Sequence, residues 1–352
     1  MARLTYRPAA PEDQAALQKI FAQTSMQGTV RINSERTPDH FAGAAVQAEE
    51  PCVWGAFTSE GEAAGTFSAG KRKVWLGGKK VPMRYLADLR IAPSWRAGFI
   101  LARGFQTIRD RILSDGEWAQ TLILEDNAPA LEHLQSRRTT LPQYQPAGRY
   151  LNWLLPSQNI RPGQFSVRIA TREDLPAMQT LLNESSRRRD FSPVIDLARL
   201  GSPYLKNLAL SDFLLAEKNG NIQGLLGIWD QSAFQRLRIA GYAPWLAFSR
   251  PFYNLFRPAI RLPNPGQTVP LLKTTALACA EDNPAILRSL LASALARSGK
   301  KLISLGLSEK DPLTPALHNL KARLHPGRHF LVGWTGEPPP WKEPFAFDSA
   351  RI

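Results

Sequence analysis

The feature that most constrains the fold is an echo. Tyr6-Arg7-Pro8-Ala9-Ala10-Pro11-Glu12-Asp13 returns about 160 residues later as Val167-Arg168-Ile169-Ala170-Thr171-Arg172-Glu173-Asp174. Each copy is a short strand signal, then an acidic cap, then an apolar-periodic helix. A period this long excludes a solenoid and predicts two similar mixed α/β domains. The chain's 352 residues suffice for two domains, and 43% hydrophobic with 21% charged residues is a globular balance.

In the first copy Ala15, Leu17, Ile20 and Phe21 recur at helical spacing. Residues 51–57 (PCVWGAF) and 62–69 (EAAGTFSA) read as strands around a Ser-Glu-Gly turn. Residues 85–91 (YLADLRI) have the pattern of a buried strand, which Pro93 and Ser94 break, and a helix is predicted from about Ala97 to Leu113. Thr121 to Leu124 is a short apolar strand, Asn127-Ala128-Pro129-Ala130 opens a helix to about Gln135, and Tyr150 to Leu155 closes the unit as a strand. Residues 156–164 (PSQNIRPGQ) have linker composition.

In the second copy Phe213 to Glu217 and Ile222 to Trp229 form a hairpin about Asn219-Gly220-Asn221. Strands are predicted over Leu271 to Cys279, Leu302 to Leu307 and Phe330 to Trp334, and helices over Pro284 to Ala296 and Pro315 to Leu324. The predicted division is a first domain over 1–156, a linker over 157–165, a second domain over 166–335 and a proline-rich tail without periodicity over 336–352.

Composition removes several function classes. Cys52 and Cys279 alone exclude a disulfide scaffold and most structural zinc sites. His40, His133, His318, His325 and His329 show no ligand spacing, so no metal is predicted. The phosphate loop of nucleotide triphosphatases, Gly-x-x-x-x-Gly-Lys-Ser/Thr, is absent. The opening residues lack an apolar signal core and no long uncharged apolar run follows, which predicts a cytoplasmic protein. A net charge of +14 favours nucleic acid, an anionic membrane face or a phosphate-bearing cofactor, without choosing among them.

The order strand, helix, hairpin, long strand, helix, strand, helix, strand resembles the GNAT acyltransferase superfamily. The first half carries the resemblance. Residues 85–96 (YLADLRIAPSWR) look like that family's central strand and the start of its cofactor loop, and residues 122–130 (LILEDNAPA) like its next strand and helix start. The implied fold is α/β: two tandem GNAT-like domains, each a mixed, mostly antiparallel sheet flanked by helices. The second copy is strongly degenerate.

The resemblance also implies a cofactor site. A strand-to-helix turn aims unpaired N–H groups at the pyrophosphate of coenzyme A. Here that turn is Arg96, Ala97, Gly98, Phe99 and Ile100, with Leu89, Arg90 and Ile91 along the arm and Asn127 nearby. Ala97, Phe99 and Leu101 stand where glycines are usual, and Gly98 is one place out of register. In the second half Glu281 and Asp282 occupy the equivalent turn, with neither glycine nor arginine, so negative charge opposes a pyrophosphate there. Acidic residues also suit a helix N-terminus for structural reasons alone.

Acyl transfer to an amine needs a base, an oxyanion donor and a proton for the leaving thiolate. Asp88 and Glu125 are the candidate bases, each with a structural alternative: Asp88 pairing with Arg84 or Arg90, and Glu125 or Asp126 capping the next helix. The family's tyrosine would fall at Leu134, so His133 and Tyr144 are the candidate acids. Residues 241–261 (GYAPWLAFSRPFYNLFRPAIR) interrupt the second copy with aromatic residues and arginines. They suit an anionic membrane surface, nucleobase stacking or an acyl channel, or a helix packing its aromatic face inward.

The expected function is acyl-CoA-dependent N-acyltransfer, with acetyl-CoA or another acyl-CoA as co-substrate and an amine as acceptor. The alternative is a non-catalytic GNAT-like protein that binds a polyanionic, membrane or protein partner.

Overall fold

The computed structural model describes residues 3–26, 28–96, 99–135, 141–256 and 261–352, without the side chains of residues 129 and 133–135. The first half runs β1 (Thr5–Pro8), α1 (Gln14–Gln23), β2 (Val30–Glu35), α2 (His40–Gln47), β3 (Val53–Phe57), β4 (Ala63–Leu76), β5 (Lys79–Ile91), α3 (Ile100–Arg111), β6 (Ala119–Leu124), α4 (Ala128–Gln135) and β7 (Gln143–Leu155). The second runs β8 (Ser166–Ile169), α5 (Leu175–Ser186), β9 (Phe213–Lys218), β10 (Asn221–Trp229), β11 (Arg236–Tyr242), α6 (Pro244–Phe256), β12 (Leu271–Cys279), α7 (Pro284–Arg297), β13 (Leu302–Ser308) and β14 (Arg323–Gly333).

Among the described residues twelve strands form one sheet, in the order β1-β3-β4-β5-β6-β14-β7-β13-β12-β10-β9-β8. It reads alike from either edge. Inward from β1 the pairings are three antiparallel, one parallel (β5 with β6), then antiparallel to β14. Inward from β8 they are again three antiparallel, one parallel (β12 with β13), then antiparallel to β7. The last strand of each half therefore lies in the other half: β14 pairs with β6 and β7 with β13, and the two cross over side by side. β2 and β11 make a separate two-stranded ribbon, one strand from each half.

The echo has a shared local cause. Arg7 grips Asp13, whose carboxylate also takes the Ala10 N–H ahead of α1. Arg168 grips Asp174, whose carboxylate takes the Thr171 N–H ahead of α5. Each acid thus satisfies an orphan donor at a helix start and is fixed by the preceding strand.

Several expected elements shift. The predicted 97–113 helix is α3, from Ile100 to Arg111; Ala97 and Gly98 lie outside the described residues. No long helix covers 315–324: Thr314–Leu317 make one tight turn and the chain is already in β14 at Arg323. The strands expected at Tyr150–Leu155 and Phe330–Trp334 extend from Gln143 and Arg323, because each crosses the whole seam. The residues after 335 are irregular yet packed: Phe345, Phe347, Ala350 and Arg351 are buried against both halves. Their proline content removes ladder donors but not apolar surface.

Candidate functional site

The site is built on a break in β5. Arg90 sits opposite Thr66 and Ala87 opposite Ser68, so Phe67 alone faces both Asp88 and Leu89. This is a β-bulge, and its first residue, Asp88, takes φ 56°, a left-handed conformation that aspartate tolerates better than most side chains. β5 meets β6 at Tyr85 opposite Gln120, and Thr121 Oγ1 donates to the Leu86 carbonyl. Beyond that point no ladder pair joins the two strands among the described residues, and they open. The second half repeats the device: Leu226 faces both Ala276 and Leu277, Ala276 has φ 49°, and β12 pairs with β13 only from Leu271 to Lys273 among the described residues.

The bulge turns Asp88 into a buried charged cluster. Arg36 Nη2 donates to it at 2.6 Å and Ser68 Oγ at 3.2 Å. The Arg36 side chain is 1% exposed. Burial raises the Asp88 carboxyl, but Arg36, Arg90 and His40 outweigh that and the net direction is down. Burial, then Arg36, pushes His40 down to about 3. Arg90 lies over the Phe21 ring at 4.1 Å and donates to the Thr24 carbonyl. Lys273, on β12, is lowered to about 8 by burial and Arg36, with Asp348 and Asp88 opposing. Both halves thus contribute to one polar interior.

The expected structural partner of Asp88 was Arg84 or Arg90; the direct partner is Arg36. Arg84 instead pairs with Glu117. Among the described residues Glu125 makes no helix-capping hydrogen bond. It takes a two-pronged bond from Arg149 at 2.9 and 3.0 Å, and Arg328 adds a longer contact. Hydrogen bonds from Arg149 hold its carboxyl below the usual range.

Tyr144 packs edge-on against Phe330 in the apolar cluster under α3, and burial raises its phenol strongly. Asp88 faces the α1–α2 side, through Arg36 and His40, so the sheet stands between the two. His133 lies on α4, with its side chain outside the described residues.

Four residues of the expected cofactor site lie together at the end of β5. Leu89, Arg90, Ile91 and Ile100 line one small cavity between the end of β5 and α3. Ile100 packs so close to Gly65 that an added Cβ there would meet its Cδ1 at 3.1 Å. The start of α3 has no side-chain cap, so its first N–H groups remain free donors among the described residues. Arg96 is exposed just before it and makes no ion pair among the described residues; Phe99 is also exposed. Asn127 starts α4, its carbonyl accepting from the Ala130 and Leu131 N–H groups.

The equivalent turn in the second half is closed. Asn283 caps α7 by accepting from the Ala285 N–H at 2.9 Å. Asp282 is gripped by Arg188 at 3.0 Å and by Arg189 at 2.8 Å, and Arg189 also holds Asp311. Of the two acidic residues read from the sequence, Asp282 is thus neutralised by arginines just past α5, while Glu281 is exposed. Sequence reasoning missed Arg36, Arg188 and Arg189 as partners, because each lies 52 or more positions from the carboxylate it meets.

No family model and no curated protein matches the sequence. Solved structures do match in fold. N-myristoyltransferase of Saccharomyces cerevisiae with bound myristoyl-CoA superposes with a TM-score of 0.61 at 10% identity, over 96% of this chain and 84% of that one. A GCN5-related N-acetyltransferase from Anabaena variabilis gives 0.51 at 14% identity, over 94% and 72%. One from Kribbella flavida gives 0.51 at 15%, over 94% and 71%. The mixed sheet, the flanking helices and these superpositions agree: the chain has the fold of the GNAT acyltransferase superfamily.

Proposed function

We propose that the chain is an acyl-CoA-dependent N-acyltransferase, with acetyl-CoA as donor and an amine as acceptor, and that its first half holds the donor. We read the molecule as two tandem GNAT-like units that exchange their last strands, the second degenerate at its cofactor turn. The observation that carries the reading is the opening of β5 from β6 at the Asp88 bulge, beside the uncapped start of α3. A helix start with free N–H groups and an exposed arginine suits a pyrophosphate. The corresponding place in the second half is filled by Asp282, Arg188 and Arg189.

In this reading the amine attacks the thioester carbonyl, the C–S bond breaks, and the acceptor's proton passes to Asp88 directly or through water. Held ionised by Arg36, Asp88 is a weak base whose negative charge also attracts the acceptor as an ammonium. Glu125, fixed by Arg149, is less free to move. The thiolate has a pKa near that of an ordinary thiol, about 8.5, and takes its proton from water without a dedicated acid.

The test is calorimetric titration with coenzyme A and with acetyl-CoA, on the natural protein and on Arg96→Glu. The expected result is micromolar binding, weakened about tenfold or more by the charge reversal, an effect of about 1.4 kcal/mol. Arg96 is exposed, so the variant should keep its fold. No heat and no thermal shift at millimolar donor would remove the enzyme reading and leave the non-catalytic one.

A further inference from the structure

Helix α6 turns its apolar side outward. It rests on the β2–β11 ribbon through Leu246 and Tyr253, which join Ile239, Tyr242 and Leu262 in one cluster. Its other apolar residues face solvent: Trp245 is 65% exposed, Phe248 82%, Phe252 62%, Leu255 72% and Phe256 77%. At 3.6 residues per turn these five fall within an arc of about 100°. They form one stripe, not scattered single exposures, and a contiguous exposed apolar surface marks an interaction site.

The charge around the stripe identifies what it meets. Residues 231–280 contain six Lys and Arg and no Asp or Glu; Lys273 is buried and Arg238 pairs with Glu35 on β2, so among the described residues Arg236, Arg250 and Arg261 carry this segment's surface charge. Arg31 is exposed on β2, and its guanidinium lies against Gly241 where the chain enters α6; Arg261 is exposed beyond the helix. Aromatic residues with a tryptophan near the helix start and arginines at the margin suit the boundary between lipid headgroups and acyl chains. A thirteen-residue helix is about 20 Å long. Among the described residues no helix is long and apolar enough to cross a membrane. The geometry is therefore that of a helix lying in the interface plane.

We propose that α6 docks the protein onto the surface of an anionic lipid bilayer, with Trp245, Phe248, Phe252, Leu255 and Phe256 entering the upper acyl region and the neighbouring arginines meeting lipid phosphates. The proposal stands apart from the acyltransfer reading, but has a consequence for it. The Ala243 N–H donates to the Thr29 carbonyl, and a Cβ added at Gly28 would lie 3.7 Å from that of Asp126, just past β6. Docking through α6 would hold the opening between β5 and β6 close to the lipid.

The test is flotation of the full chain with vesicles of phosphatidylcholine alone and of phosphatidylcholine with phosphatidylglycerol, repeated on Phe248→Glu with Phe252→Glu. Both side chains are exposed, so the double variant should melt like the natural protein, and this is checked first. The expected result is co-flotation with the anionic vesicles only, reduced about tenfold or more in the variant, and weakened by about 0.5 M salt, where headgroup attraction is screened. Three results would each overturn the proposal: no flotation with either vesicle, flotation unchanged in the variant, or a concentration-dependent dimer in sedimentation velocity that the variant abolishes while vesicles stay bare. The last would assign the stripe to a second copy of this chain.

Discussion

At the scale of single residues, Asp88 is where fold and proposed chemistry meet. Its positive φ is required by the bulge, and asparagine also tolerates that conformation. Asp88→Asn therefore keeps the backbone while removing the charge. We predict a fall in kcat of about a hundredfold or more, as for loss of a general base, with coenzyme A binding unchanged. Stability should fall by about 3 kcal/mol, because Arg36, 1% exposed, loses its counter-ion. Steady-state kinetics beside a denaturant titration separate the two effects. An unchanged kcat with lowered stability would make Asp88 a structural counter-ion only.

A second residue-scale prediction concerns pH. His329 is fully buried, its Nδ1–H donating to the Ala147 carbonyl at 3.0 Å, with its ring among those of Phe191, Phe345 and Phe347. Burial pushes it down to about 3, and His40 is pushed equally far. The unfolded chain takes up these protons below its ordinary pKa of about 6.5, while the folded chain refuses them until about pH 3. Stability is therefore present above pH 6.5 and lost as pH falls through that window, at about 1.4 kcal/mol per pH unit for each histidine. His329→Gln should flatten the fall in unfolding free energy between about pH 6.5 and 5 by roughly half of the two-histidine slope, read by denaturant titration at each pH. A slope equal to that of the natural protein would sink the assignment.

At the scale of elements, the local signals were legible and the crossings were not. Asn219-Gly220 predicts the β9–β10 hairpin, and the structure turns there with both residues at positive φ. The acidic caps before α1 and α5 are likewise readable, since their chemistry is complete within eight residues. The stretch 315–324 fails for the opposite reason. Its apolar spacing fits a helix, but Leu324 pairs with Trp153 across the seam, and the strand claims the residues a helix would need. The bulges are similar: nothing within YLADLRI shows that Phe67 will face two residues, because that depends on the register of a strand twenty positions earlier. For α6 one reading of residues 241–261 is a helix packing its aromatic face inward, but the aromatic stripe faces water and the side with Leu246 and Tyr253 packs. Periodicity locates a stripe and does not say which phase faces home.

At the scale of the molecule, the exchange of β7 and β14 governs how the chain must fold. β6 finds its inner neighbour only in β14, about 200 residues later, and β13 finds its own only in β7. The residues after 335 add to the linkage: Arg351 Nη1 donates to the carbonyls of Val46 and Tyr204, one in each half. A fragment ending near residue 156 would leave β6 with an open edge and β7 with no sheet to join. We therefore predict that neither 1–156 nor 166–352 forms a stable native sheet alone, and that the two expressed together associate into one soluble complex. Their near-ultraviolet circular dichroism should be weak separately and native-like together. The intact chain should unfold in one cooperative transition, with calorimetric and van't Hoff enthalpies in agreement, because no strand order separates the halves without breaking the β14–β7 pairing. Two resolved transitions, or a well-packed isolated half, would show that each unit completes its sheet without the other's strand.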